Sequence, residues 1–424
     1  MSEPIIEREV RRTALFSKLE RLAVPISFIP AILYTDLLTS DGLAQKILTV
    51  LFTACYVAAT EIVCRKENRS PETWVWLGCL ICTLAGLVLD LNHVWEEVSW
   101  LFLHLFALYY YLIRSNRLYE GETGRFILMD GINAAFVFPF RYFIYRILCI
   151  VDIAREKHST RKEGRKRSWQ VWVIVAAVLL AILLFMGAWK LLAKADDTWM
   201  ALLGDLSLDL DLEDFLEILL HVILSIPLGA YFYGLIIGSR RQIPEVLHAR
   251  AGKVERAFGV FRKVPIRVWT VASCAFILLY ALFFAIHSSY LFGAFFHRLP
   301  EEFTVAEYAR KGFFELCAVV TLNFGFMGII GLTGNRKMRE DTVSKVTNSV
   351  LLIESVLFSA IAFSKLAMYI GCYGFTPLRL QSTWLVIVIF AACVLSLITL
   401  WTGKKTMRWW ILFSAVTMAL LCLY

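Results

Sequence analysis

Six side chains could carry chemistry in this sequence: Arg310, Glu315, Asn323, Glu354, Lys365 and Arg379. All lie inside apolar runs or at their ends. A charge at mid-bilayer costs at least about 2.5–3.5 kcal/mol, and such residues face protein or a water-filled cavity. Two chemistries fit. A polar site could hold an ion, an anionic headgroup or a polar metabolite. Alternatively, ion pairs could hold helices in register without any ligand. Spacing leaves both open. Arg310 and Glu315 are separated by about 140° around a helix, so each needs a partner elsewhere. Glu354 and Lys365 share one face, roughly 16 Å apart along the axis. If their two helices pack together, Arg310, Glu315, Lys365 and Arg379 can form one charged cluster towards the outside.

Other polar positions are weaker candidates. Asp209 and Asp211 form a D-x-D in an acidic loop, a pattern that binds divalent metal in some membrane glycosyltransferases. A solvated acidic loop is the plainer reading, and the spacing lacks the glycine and glutamate of an EF-hand. Cys79 and Cys82 form a C-x-x-C within TWVWLGCLICTLAGLVLDL. A redox thiol needs access and a depressed pKa, which lipid does not offer, so the pair reads as two small membrane residues. No cofactor is expected. No H-E-x-x-H, P-loop, nucleophile elbow or zinc spacing occurs.

The elements that must position these residues are membrane helices. Of 424 residues, 59% are hydrophobic, and mean hydropathy is +0.65. Apolar blocks run to about 17–25 residues, the length that crosses roughly 30 Å of hydrocarbon. The expected fold is all-α, a polytopic bundle with spans near 22–38, 43–63, 73–91, 97–113, 169–193, 215–238, 268–294, 311–333, 346–370, 383–401 and 407–424. Three regions follow: four spans in 1–113, a basic segment in 114–168, and seven spans in 169–424. The charged first twenty residues do not resemble a signal peptide, so the first span is expected to be an uncleaved anchor.

Charge tests the count. With eleven spans, the N-terminus and alternate loops hold 35 of the 43 Lys and Arg residues. That bias predicts a cytoplasmic N-terminus. The net charge of +8 is then explained by anionic lipid headgroups at the cytoplasmic face, with no nucleic-acid partner. The segment 114–168 has apolar runs broken by Asp130, Pro139, Arg141 and Arg146. It reads as a helix lying in the interface, with both arginines reaching headgroups.

Glycines at 325, 328, 331 and 334 form a bare ridge on the eighth span. They are expected to let it approach the ninth closely. A separate G-x-x-x-G, Gly234 to Gly238, ends the sixth.

Two motifs point to a family. Tyr308, Arg310, Gly312, Phe313, Glu315 and Leu316 match a Tyr-x-Arg-x-Gly-Phe-x-Glu-Leu run that opens a late span. Tyr373, Gly374, Thr376, Leu378 and Arg379 match a Tyr-Gly-Leu-Thr-x-Leu-Arg run after the next span, with Phe375 replacing leucine. Together they resemble a family of bacterial multi-pass membrane proteins defined as a domain of unknown function. The resemblance covers most of residues 125–400. It implies a bacterial plasma membrane location and carries no activity, ligand or catalytic residue.

Three functions remain. A transport-like protein would use an outward polar site between the eighth and ninth spans. A sensor or scaffold would use the acidic loop and the basic inner segments. An enzyme acting on a lipid-linked substrate has the least support.

Overall fold

The computed structural model describes residues 16–91, 95–159, 212–296, 299 and 303–424. The fifth expected span, the basic tail 161–167 and the pair Asp209 and Asp211 lie outside the described residues. The helices are α1 (Lys18–Ile26), α2 (Phe28–Thr39), α3 (Gly42–Val63), α4 (Pro71–Val88), α5 (Glu96–Arg114), α6 (Ile127–Ile132), α7 (Phe138–Arg141) and α8 (Phe143–Ser159). They continue as α9 (Leu212–Phe232), α10 (Pro244–Gly259), α11 (Ile266–Ile286), α12 (Ser288–Phe292), α13 (Val305–Thr333), α14 (Thr342–Tyr373), α15 (Pro377–Thr402) and α16 (Met407–Leu421). Among the described residues the only β pairing is one isolated bridge, Val264 to Gly334.

The protein is a multi-pass membrane protein. Among the described residues, nine helical runs are long and apolar enough to cross a membrane. Their outward faces carry large apolar side chains, such as Val271 and Leu278 on α11, each at least 70% exposed. Faces of that kind need a bilayer to cover them. Eight runs fall on expected spans. α5 is more polar, and α16 is a shorter apolar helix. The ninth run, Ile127–Ala154, lies where the sequence suggested an interfacial helix.

Two of the polar breaks in that run find protein partners. Asp130 is buried and accepts the Tyr119 amide at 2.9 Å. Arg146 does not reach headgroups, contrary to the sequence expectation. It is buried, donates from Nη1 to the Ile226 carbonyl at 2.9 Å, and lies 3.9 Å from the Phe28 ring centroid. A guanidinium with a carbonyl and an aromatic face within reach has less to gain from snorkelling. Arg141 is exposed.

The chain divides into two compact units. One comprises Met1–Val63 and Ala134–Arg241. Its α2 packs on α3 and α9, with Ala31, Phe52 and Phe232 at the centre. His221 on α9 meets Asp36 on α2 through Nδ1 at 3.0 Å. The G-x-x-x-G lies beside α7 and its exit. A methyl at 234 would meet the Pro139 carbonyl, and one at 238 would meet Tyr142. Only glycine permits that approach.

The other unit comprises Cys64–Asn133 and Gln242–Tyr424. Its centre is α14, which packs against α11, α13 and α15. Leu316, Val320, Phe358 and Ile361 are buried there. Thr304 and Glu307 close a capping box that starts α13, and Asp341 caps α14 by accepting the Ser344 amide at 2.9 Å. The eighth and ninth spans do pack, but the glycine ridge is not the contact. Gly325, Gly328 and Gly331 face outward, and a methyl on any of them would meet nothing within 4 Å. The contact face is instead Tyr308, Gly312, Leu316, Val320 and Asn323.

At the start of α4 the same unit holds a closed ion cluster. Glu72 is 3% exposed, accepts the Thr123 amide and hydroxyl at 3.1 and 2.8 Å, and pairs with Arg408.

Candidate functional site

Tyr308 and Gly312 are four residues apart on α13, so they share one face, and that face meets α14. Opposite them lies Lys365, with no solvent exposure. Gly312 supplies the space for the lysine stem: a methyl there would lie 2.6 Å from Cδ and 2.7 Å from Nζ. Nζ is 3.6 Å from the Tyr290 ring centroid and 4.1 Å from that of Tyr308. The two rings meet edge to face, 5.3 Å apart. Tyr308 donates its hydroxyl to the Tyr290 carbonyl at 2.5 Å, which ties α13 to α12.

Ring faces attract an ammonium but leave its N–H donors unfilled. Among the described residues, Nζ has no hydrogen-bond partner. Such a group is costly to bury and is a candidate for a ligand contact.

Outside the cage lies a shallow depression lined by Phe303, Glu307, Arg310, Lys311 and Phe314. Phe303 joins the two, its ring 5.6 Å from Tyr290 and 6.5 Å from Tyr308. Two exposed cations thus stand at the mouth, and a third lies behind an aromatic wall. Glu315 is exposed.

The remaining candidate residues go elsewhere. Asn323 is buried between two helices, accepting from the Tyr280 hydroxyl at 2.8 Å and donating to the Ser355 hydroxyl at 2.9 Å. Glu354 is half-buried on α14, and its Oε2 has no hydrogen-bond partner among the described residues. Arg379 folds back on the end of α14. It donates to the carbonyls of Tyr373 and Gly374 and lies 4.2 Å from the Tyr369 ring centroid. Among the described residues, Glu315 makes no ion pair with Arg310, Lys365 or Arg379 within 4 Å. The four do not close into a clasp. Lys365 and the Arg310 mouth share a corner, while Asn323 belongs to a separate polar contact deeper along α14.

Buried polar residues recur along α14 on the same side: Ser344, Asn348, Ser355, Ser359 and Lys365. From 344 to 365 the helix rises about 31 Å, close to the thickness of the hydrocarbon core. Sequence reasoning found Lys365 but missed Tyr290, which sits in the unremarkable run SSYLF. It also counted Arg336, Lys337 and Arg339 only as loop charge.

Cys79 is buried within α4, and neither it nor Cys82 is in a disulfide. Among the described residues, no three His, Cys, Asp or Glu side chains group as a metal site would require.

Neither a curated protein nor a solved structure matches the chain. A family model does, over residues 47–424. That span includes α4 to α16 and every candidate residue above, and the chain belongs to the family described as a domain of unknown function, DUF4153.

Proposed function

We propose that this membrane protein is transport-like and that its ligand is an anion, which reaches Lys365 from the Arg310 and Lys311 mouth. The observation that carries the reading is the Lys365 ammonium, buried without a hydrogen-bond partner among the described residues. A carboxylate or phosphate oxygen would fill its donors with charge-assisted bonds. Arg310 and Lys311 would raise the local anion concentration before the ligand passes Phe303. The buried polar stripe on α14 gives the ligand or a coupled proton groups to meet through the thickness of the membrane. The distribution of Lys and Arg, read with eleven spans, supports a mouth on the outside and an N-terminus in the cytoplasm. The resemblance of the two motifs supports a bacterial plasma membrane as the location.

One observation favours the sensor or scaffold alternative. The Tyr280–Asn323–Ser355 chain is closed, with each member partnered within the protein. A stripe made only of such contacts would hold helices together and pass nothing.

The test is uptake of labelled phosphate, sulfate and succinate into proteoliposomes. Wild-type protein should take up at least one, and Lys365→Met should lose that uptake while still folding and inserting. Uptake unchanged in Lys365→Met would sink the reading. So would uptake no better than in protein-free vesicles.

A further inference from the structure

A second basic site lies at the opposite end of α13, and it is built by the backbone. Val264 donates its amide to the Thr333 carbonyl at 3.1 Å, and Asn335 donates to the Val264 carbonyl at 2.9 Å. The Asn335 side chain accepts the Ile266 amide at 3.0 Å, capping α11. This bridge holds the link between α10 and α11 against the end of α13. It thereby brings Arg262 beside the turn 336-RKMR-339.

The result is a pocket of about 430 Å³ lined by Arg262, Asn335, Arg336, Lys337, Arg339 and Glu340. Lys337 lies 3.8 Å from Glu340, an exposed pair. Among the described residues, Arg262, Arg336 and Arg339 have no ion-pair partner within 4 Å. Arg339 lies against Gly403, whose φ of +70° turns the chain from α15 to α16.

The pocket does not end at its basic rim. Met338, Thr399 and Leu400 line both it and a neighbouring groove of about 580 Å³. That groove runs between α13, α15 and α16, past Phe324, Ile389, Leu395 and Trp410. Its lining is almost wholly apolar. A volume of this size lies within the range of small-molecule sites.

We propose that this paired site binds one anionic phospholipid. Its phosphate sits among Arg262, Arg336 and Arg339, and an acyl chain lies in the groove. Guanidinium forks suit phosphate oxygens, and basic pockets between membrane helices take anionic headgroups. The apolar continuation commits the site to a lipid, because free phosphate would gain nothing from it. This rests on observations separate from those at Lys365.

The experiment uses the full-length protein, delipidated in a neutral detergent. Phosphatidylglycerol, phosphatidylcholine and glycerol phosphate are added in turn, with bound lipid counted by native mass spectrometry. Phosphatidylglycerol should be retained and raise the melting temperature, and the other two should not. Arg262→Gln with Arg336→Gln should weaken phosphatidylglycerol retention by about tenfold, the scale of lost charge-assisted bonds. Ala392→Phe, in the groove, should weaken retention with the arginines intact. Equal retention of phosphatidylcholine, or an unchanged double variant, would overturn the proposal. Equal stabilisation by glycerol phosphate would overturn the lipid as the source. If Ala392→Phe fails to fold, the arginine pair still decides the question, since both side chains are exposed.

Discussion

Gly312 and Lys365 are shaped to each other. The absent side chain of one is the space that the stem of the other occupies, with 2.6 Å left between a hypothetical methyl and Cδ. Gly312→Ala should therefore push Lys365 out from between its two tyrosines. Overpacking of this kind costs about 1–3 kcal/mol. Thermal unfolding in detergent measures the loss. A second substitution, Lys365→Ala, should recover part of it, and strict additivity of the two changes would show that they do not meet.

Asn323 should matter for assembly more than for traffic. Asn323→Leu leaves the hydroxyls of Tyr280 and Ser355 without their shared partner. Tyr280→Phe removes only one bond. The first should cost about 1–3 kcal/mol and the second roughly 0.6 kcal/mol, the average for such bonds in a bilayer. A double-mutant cycle in unfolding titrations checks the order, and Tyr280→Phe costing more than Asn323→Leu would refute it.

The two glycine patterns should respond in opposite directions. Gly325→Ala and Gly328→Ala meet nothing and should gain about 0.5–1 kcal/mol from helix propensity. Gly234→Ala and Gly238→Ala must displace Pro139 or Tyr142 and should destabilise their unit. Melting temperatures of the four single variants suffice, and destabilisation by Gly325→Ala would mean that the ridge has an occupant.

Acid should release one ion pair outside the spans. Arg125 donates to Glu255 through Nη1 and Nη2 at 3.3 and 3.1 Å. These bonds, then the guanidinium charge, hold the Glu255 carboxyl below its ordinary value of 4.5. A carboxyl depressed in the folded state stabilises it at pH above 4.5, and that contribution fades as pH falls through the lower folded value. The pair is exposed, so the effect is small and sensitive to salt. The melting temperature of wild type should exceed that of Glu255→Gln at pH 7, and the gap should close in acid. A gap that persists at pH 3 would point to packing rather than charge.

The sequence disclosed the membrane helices well, because twenty apolar residues have few other uses. It also singled out Lys365, since a lysine so placed is expensive wherever it points. Direction was less legible. The ridge of glycines has a clear period, yet a period names a face and not what covers it. Arg146 resembled a headgroup anchor because its neighbours in sequence are apolar. What keeps it buried is the Ile226 carbonyl and the Phe28 ring, both distant in the chain. Glu315 and Arg379 carry motif positions without meeting, because Arg379 found nearer acceptors in the carbonyls that end its neighbouring helix.

The bond from the Tyr308 hydroxyl to the Tyr290 carbonyl has a kinetic consequence. One wall of the cage is pinned to the backbone of the segment that carries the other wall. Rotation of a single side chain, a nanosecond event, cannot unlatch a ring that its own hydroxyl anchors. With that bond kept, exposing the ammonium would need the turn bearing Tyr290 to swing away from α13 as a body. Segment motions of that kind run on microsecond to millisecond scales. A ligand that reaches Lys365 as proposed would be clocked by that movement, and Tyr308→Phe should quicken the clock without altering a charge.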